Sequence, residues 1–204
     1  TIDPIPNGPS EYYLLMEWSS ALPKDGAMAA RMEEFLADAM ERGLVLDAVI
    51  AQNQSQARAF WHIRESHAEA GRHDGPGTSY DISVASSRIP AFIDDASAAV
   101  RAVLPDVRPA PMGHMGDGNL HFNFKAPLGM TPDTWRQYKQ AVTRAVNDML
   151  RDYDGSISAE HGIGSEKVGE LAHYADPVKM ATMRAIKRAL DPQNLMNPGK
   201  IFEV

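Results

Sequence analysis

The chain has 204 residues, with 20 Lys plus Arg against 27 Asp plus Glu and a formal net charge of −7. That balance argues against non-specific nucleic-acid binding, which needs many cations to displace counterions. The absence of Cys excludes disulfides, thiolate metal sites, iron–sulfur clusters and Cys nucleophiles, and no apolar run reaches the 18 residues of a membrane-spanning helix.

The chain opens at Thr1 with Pro4, Pro6, Gly8 and Pro9, which reads as a linker and predicts a piece of a longer protein. Residues 12–20 are aromatic-rich, end near Pro23 and read as a strand. Residues 27–42 carry Met28, Met32, Phe35, Leu36 and Ala39 at helical spacing, and Gly43 stops the run. A second strand is predicted over 44–52 and a helix over 54–70. After a Gly-rich loop, 80–85 alternates as a third strand. Pro90 opens an Ala-rich helix over 91–103. The turn GDGN (116–119) leads into a strand with Leu120, Phe122 and Phe124 on one face and His121 and Asn123 on the other. Thr131-Pro132 starts a helix over 132–152, and Asp176-Pro177 starts another that runs to about Leu190. The predicted class is α+β. An antiparallel sheet is covered by helices, the first four elements form half of a ferredoxin-like unit, and the C-terminal segment is helical.

Three segments carry chemistry. GHMGDGNLHFN (113–123) holds two histidines, an Asp and an Asn among glycines. The turn folds His114 toward His121, and Asn123 shares the His121 face, so two imidazoles can converge on a divalent metal. The plain alternative is a hairpin with two surface histidines. ISAEHGIGSEK (157–167) supplies Glu160, which would complete a His₂Glu set with an open coordination position. Glu160 as a helix cap or salt-bridge partner is the alternative. Consecutive side chains of extended backbone diverge, so His161 is expected outside that shell, facing the reacting carbon as a base, a role suited to imidazole. In FWHIRESHAEA (60–70), Arg64 presents a planar fork that fits a carboxylate, or else pairs with Glu65, Glu69 or Asp81. His62, His67, His73 and His173 read as surface or packing residues.

GHMGDGNLH followed by AEHGIGSEK, with WHIRES upstream and DPQNLMNPGKIF at the end, resembles the C-terminal domain of FAD-linked oxidases, the group of D-2-hydroxyglutarate dehydrogenase, D-lactate dehydrogenases and the glycolate oxidase flavin subunit. The resemblance makes 1–204 a substrate- and metal-binding domain whose partner is an N-terminal FAD-binding domain outside this chain. It implies His114, His121 and Glu160 as ligands of a divalent metal, zinc being the ion expected, and His161 as the catalytic base near the flavin. Arg64 and Asn123 would contact the substrate, and Asn197 and Lys200 would pack near the flavin domain. The implied reaction oxidises a D-2-hydroxy acid to a 2-oxo acid with hydride transfer to FAD, and the fragment alone is expected to be inactive. The electron acceptor is left open, a homodimer is an option, and the setting is cytoplasmic or at the inner face of a membrane. Three positions depart from the family pattern. Ser79 replaces a Lys, Ala85 or Ser86 a Pro, and Ala68 a hydroxyl residue. The lost Lys shifts the expectation from 2-hydroxyglutarate toward a smaller 2-hydroxy acid. A metal-dependent hydrolase and a non-catalytic ferredoxin-like binding or dimerisation domain are the rival readings. The hydrolase is disfavoured because no HExxH spacing occurs.

Overall fold

The strict alternation around Phe122 sets the layout of the fold. A computed structural model describes residues 10–21 and 27–203, the side chain of Ala68 excepted. The linker at Pro4–Pro9, Pro23 and the Ala68 side chain therefore lie outside the described residues. The elements in chain order are α1 (Ala27–Glu41), α2 (Gln54–His73), β1 (Gly77–Ser83), α3 (Ile89–Val103), β2 (Arg108–Pro109), β3 (Met112–Gly113), β4 (Asn119–Lys125), α4 (Pro132–Asp152), α5 (Val168–Tyr174) and α6 (Pro177–Leu190), with a 3-10 turn at Ser86–Arg88 before α3. The class is α+β, as the sequence predicts. No helix among the described residues is long and apolar enough to cross a membrane.

The chain divides into two compact units, Thr1–His73 and Asp74–Val204. The first holds α1 and α2. Its strands predicted over 12–20 and 44–52 are absent: both described segments are irregular, so the half ferredoxin-like unit they would begin is not formed. A strand exists only where a ladder takes up its backbone N–H and C=O groups, and among the described residues neither segment joins a ladder. The aromatic content of 12–20 reflects a preference for half-buried pleated surfaces rather than a backbone preference. Here side chains fix that segment instead. Trp18 packs on Phe35 with ring centroids 5.5 Å apart, and the Trp61 indole donates to Glu17 at 2.7 Å.

The second unit holds the sheet. Its strand order is β1-β4-β2, with β3 also on β4, and every pairing is antiparallel. Register sets Asp81 opposite His121, Ser79 opposite Asn123 and Met112 opposite His121 on the other edge. Because side chains alternate, one face of β1 and β4 is apolar and the other polar. The apolar face (Tyr80, Ile82, Leu120, Phe122, Phe124) packs on Phe92, Ala96 and Val100 of α3 and on Trp135, Val142, Val146 and Leu150 of α4. Phe92, Phe122 and Phe124 are wholly buried, each contributing about 1.5–3 kcal/mol by leaving water. The start of α4 follows its sequence signal: Pro132 stands in the first turn and the Thr131 hydroxyl accepts from Thr134 N at 3.2 Å. At α6 the Asp176 carboxylate accepts from Val178 N and Lys179 N, both at 2.9 Å.

A smaller cluster of Leu171, Met180 and Phe202, flanked by Ile157 and Ile163, lies beyond the sheet. It includes α5, a seven-residue helix that the sequence reading leaves without an element. Its one buried residue is Leu171, too little for a periodic signal.

Candidate functional site

The polar face of β1 and β4 presents Asp81, His121 and Asn123, and the loop 156–164 is laid across it. A bridge between Ser83 and Ser156 starts that loop at the end of β1. The Asp81 carboxylate then accepts from the backbone N–H of His161 at 2.8 Å and of Glu160 at 3.1 Å, and from the Ser158 hydroxyl at 3.2 Å. Burial alone would raise the Asp81 carboxyl, but the amides of His161 and Glu160, the His161 ring and the Ser158 hydroxyl together hold it below the ordinary carboxylate value. Lys167 ties the loop from its other end, its ammonium donating to Ile157 O at 2.8 Å and to Asp81 O at 3.4 Å. Burial holds that ammonium below its ordinary pKa, against the pull of Asp81 and Glu166.

So placed, Glu160 meets both histidines. Glu160 Oε1 lies 3.5 Å from His121 Nε2 and 3.5 Å from His161 Nε2. The two imidazole rings stack with centroids 5.8 Å apart. His121 is the sheltered member, with 17% of its side chain exposed against 50% for Glu160 and 63% for His161. The expectation that Glu160 and His161 diverge assumes extended backbone. The chain bends here instead, and Gly162 follows at φ +76°, so the two side chains share one region.

His114 stands across the turn. Its N–H donates to Asn119 O at 3.0 Å, which puts it on the His121 face, and its ring Nδ1 lies 3.3 Å from Asp117 Oδ2. The turn depends on Gly118, at φ +76°, where an added Cβ would sit 2.2 Å from Val84 O. The Asn119 side-chain oxygen is buried on this same face with no partner among the described residues, an acceptor left for a ligand or water.

Asn123 is half-buried two residues beyond His121, opposite the exposed Ser79. Arg64 is exposed on α2 and belongs to the first unit. Asn197 and Lys200 are exposed in the C-terminal tail. That tail is joined to the loop: Ile201 N donates to Gly164 O at 2.8 Å, and Phe202 is buried in the smaller cluster. His62, His67, His73 and His173 are exposed.

The donors fit a borderline divalent cation. Glu160 Oε1 faces both His121 Nε2 and His161 Nε2, and the Asp81 carboxylate, already bonded to the loop, has an oxygen within 4.8 Å of the Glu160 and His161 ligand atoms. Imidazole nitrogen with carboxylate oxygen suits a first-row ion such as zinc. Asp81 is the residue that the sequence reading missed as part of the site, naming it only as a partner for Arg64. The signal for it was a lone carboxylate between Tyr80 and Ile82 in an otherwise uncharged strand.

The chain belongs to the FAD linked oxidases, C-terminal domain family, whose model matches residues 4–201. Among curated proteins it is 36% identical over 191 residues to the D-2-hydroxyglutarate dehydrogenase of Stutzerimonas stutzeri, and 38% identical over 192 residues to that of Xanthomonas citri pv. viticola. It is 34% identical over 196 residues to the mitochondrial D-2-hydroxyglutarate dehydrogenase of Arabidopsis thaliana. Each match covers 94% of this chain, but the chain spans only 40% of the two bacterial relatives and 32% of the plant one.

Proposed function

We propose that this chain is the substrate- and metal-holding part of an FAD-dependent dehydrogenase that oxidises a D-2-hydroxy acid to the 2-oxo acid. The observation that carries the reading is the meeting of His121, Glu160 and His161 on the polar sheet face, in a chain more than a third identical to D-2-hydroxyglutarate dehydrogenases. D-2-hydroxyglutarate stands first among the candidate substrates. Ser79 supplies no cation for a far carboxylate, which keeps smaller D-2-hydroxy acids such as D-lactate in the comparison.

His121 and Glu160 would hold the divalent ion, joined by His114 once its ring turns from Asp117. A zinc ion held there supplies positive charge that lowers the pKa of a bound hydroxyl. His161 receives the hydroxyl proton at Nε2, and its exposure lets that proton pass on to water. Asn123 hydrogen-bonds the substrate beside His121. Arg64, whose planar fork fits a carboxylate, is the candidate for the substrate carboxylate. FAD, held by a companion N-terminal domain, would supply the hydride acceptor. Asn197 and Lys200, tethered to the loop through Ile201, border that domain.

The test is flavin reduction in the full-length protein by a panel of D- and L-2-hydroxy acids, before and after chelator. Reduction by D-2-hydroxyglutarate or another D-2-hydroxy acid, lost with chelator and restored by zinc, is expected. Reduction by none of the panel overturns the reading. Reduction that survives complete metal removal overturns the metal role.

A further inference from the structure

Asp81 is the one charged residue of β1 and is 4% exposed. A carboxylate buried that deeply persists only where donors satisfy it. Here the donors are main-chain N–H groups of the two residues on which the site depends. Oδ2 accepts from His161 N at 2.8 Å, from Glu160 N at 3.1 Å and from the Ser158 hydroxyl at 3.2 Å, and the His161 ring Nδ1 stands 3.5 Å away. Two bonds to consecutive amides orient the peptide between them. That is the physical reason why Glu160 and His161, neighbours in sequence, both turn toward the same region. An oxygen with three donors already on it is a poor metal ligand, so Asp81 belongs behind the site rather than in it. Lys167, bonded to the carbonyls of Asp81 and Ile157, closes the same attachment from the backbone side.

We propose that Asp81 is the positioning residue of this site, a buried carboxylate that holds the consecutive amides of Glu160 and His161 and thereby fixes both side chains beside His121. The inference rests on the function proposed above and extends it to a residue that touches neither substrate nor metal.

The experiment uses the full-length flavoprotein with Asp81→Ala, Asp81→Asn and, as a reference, His121→Ala. Three quantities are read: amide hydrogen exchange of peptides spanning 156–163 and 119–125, zinc affinity by chelator competition, and kcat and KM for the best D-2-hydroxy acid. In Asp81→Ala, exchange in 156–163 should quicken about tenfold or more while 119–125 stays protected, because only the loop loses its acceptor. Zinc affinity and kcat should each fall about 10–100-fold, as when a ligand loses its supporting partner, with KM changed less than about threefold. Asp81→Asn keeps an oxygen for the amides and covers the case in which Asp81→Ala does not fold. Its kcat should fall less than that of Asp81→Ala, because the two amides keep an acceptor, weaker than the carboxylate. A kcat for Asp81→Ala within twofold of wild type, or for Asp81→Asn below that of Asp81→Ala, overturns the proposal. So does exchange that quickens equally in 156–163 and 119–125, since Asp81 would then serve the fold alone. If His121→Ala leaves zinc affinity and turnover unchanged, the functional reading fails, and exchange in 156–163 still decides whether Asp81 holds the pair.

Discussion

The two faces of one sheet are stabilised by different physics. The apolar face is closed by α3 and α4 over Phe122 and Phe124, where burial is non-directional and depends on filled volume. The polar face is crossed by a loop attached at discrete points, and the C-terminal tail is bonded to that loop. The attachments are Asp81 to two amides, Lys167 to two carbonyls, and Ile201 to Gly164. Volume can be lost on the first face without moving a site residue. On the second, the loss of one bond redirects side chains while leaving the core intact. The strand that joins the faces, β4, therefore carries stability and chemistry on alternate residues.

The largest effect expected is on the apolar face. Phe122→Ala should cost about 3–5 kcal/mol, read as a lower urea midpoint of the full-length protein, while zinc affinity of the folded fraction stays unchanged. Loss of zinc affinity in step with stability would break the separation of the faces. Next comes His121→Ala, one residue away. It should weaken zinc at least about 100-fold, about 2.7 kcal/mol, with Tm nearly unmoved. Equal damage to Tm would show that His121 is a packing residue.

This division also explains what the sequence disclosed. The helix 132–152 is read to its ends from Thr131-Pro132 and its apolar stripe, and 177–190 from Asp176-Pro177, because caps and periodicity are local. The sides of β4 follow from alternation within seven residues. His121, Glu160 and His161 stand out as unusual residues in glycine-rich settings, so their types are visible. Residue type suggests Glu160 beside His121, but not that His161 joins them, and the amide bonds that fasten this loop run to Asp81, 79 residues before Glu160 in the chain. The shared direction of Glu160 and His161 is hidden for a similar reason: the backbone bends where alternation is assumed. The strands predicted over 12–20 and 44–52 fail because residue preference cannot supply a ladder partner.

The third prediction sharpens the polar side through pH. Asp191 accepts from Lys187 and from the amides of Leu195 and Met196, both at 2.9 Å, and so folds the NLMN segment back on the end of α6. The Lys187 ammonium, then these amides against the opposing effect of burial, hold its carboxyl below the ordinary value. A depressed carboxylate stabilises the folded state above its unfolded pKa, about 3.9, and that contribution is lost as pH falls through the lower folded value. Asp191→Asn should therefore lower the urea midpoint at pH 7, by less than Phe122→Ala, and the gap to wild type should close as pH falls toward about 3. A gap independent of pH would mean that the side chain acts by packing rather than by charge.

The smallest effect belongs to the apolar side and serves as its control. The Thr131 hydroxyl satisfies one amide at the start of α4, Thr134 N at 3.2 Å. Removing such a cap costs about 1 kcal/mol. Thr131→Ala should lower the unfolding free energy from urea titration by that amount at pH 7 and at pH 4 alike, since no group in the bond titrates there. Thr131 stands at the start of α4, whose bonds toward the loop lie near its far end, Asn147 to Glu170 and Gly155 N to Leu150 O, so zinc affinity and the exchange of 156–163 should stay at wild-type values. If this small loss on the helical side did loosen the loop, the sheet would be passing strain from one face to the other. The two faces would then form one cooperative unit rather than a core with a site attached to it.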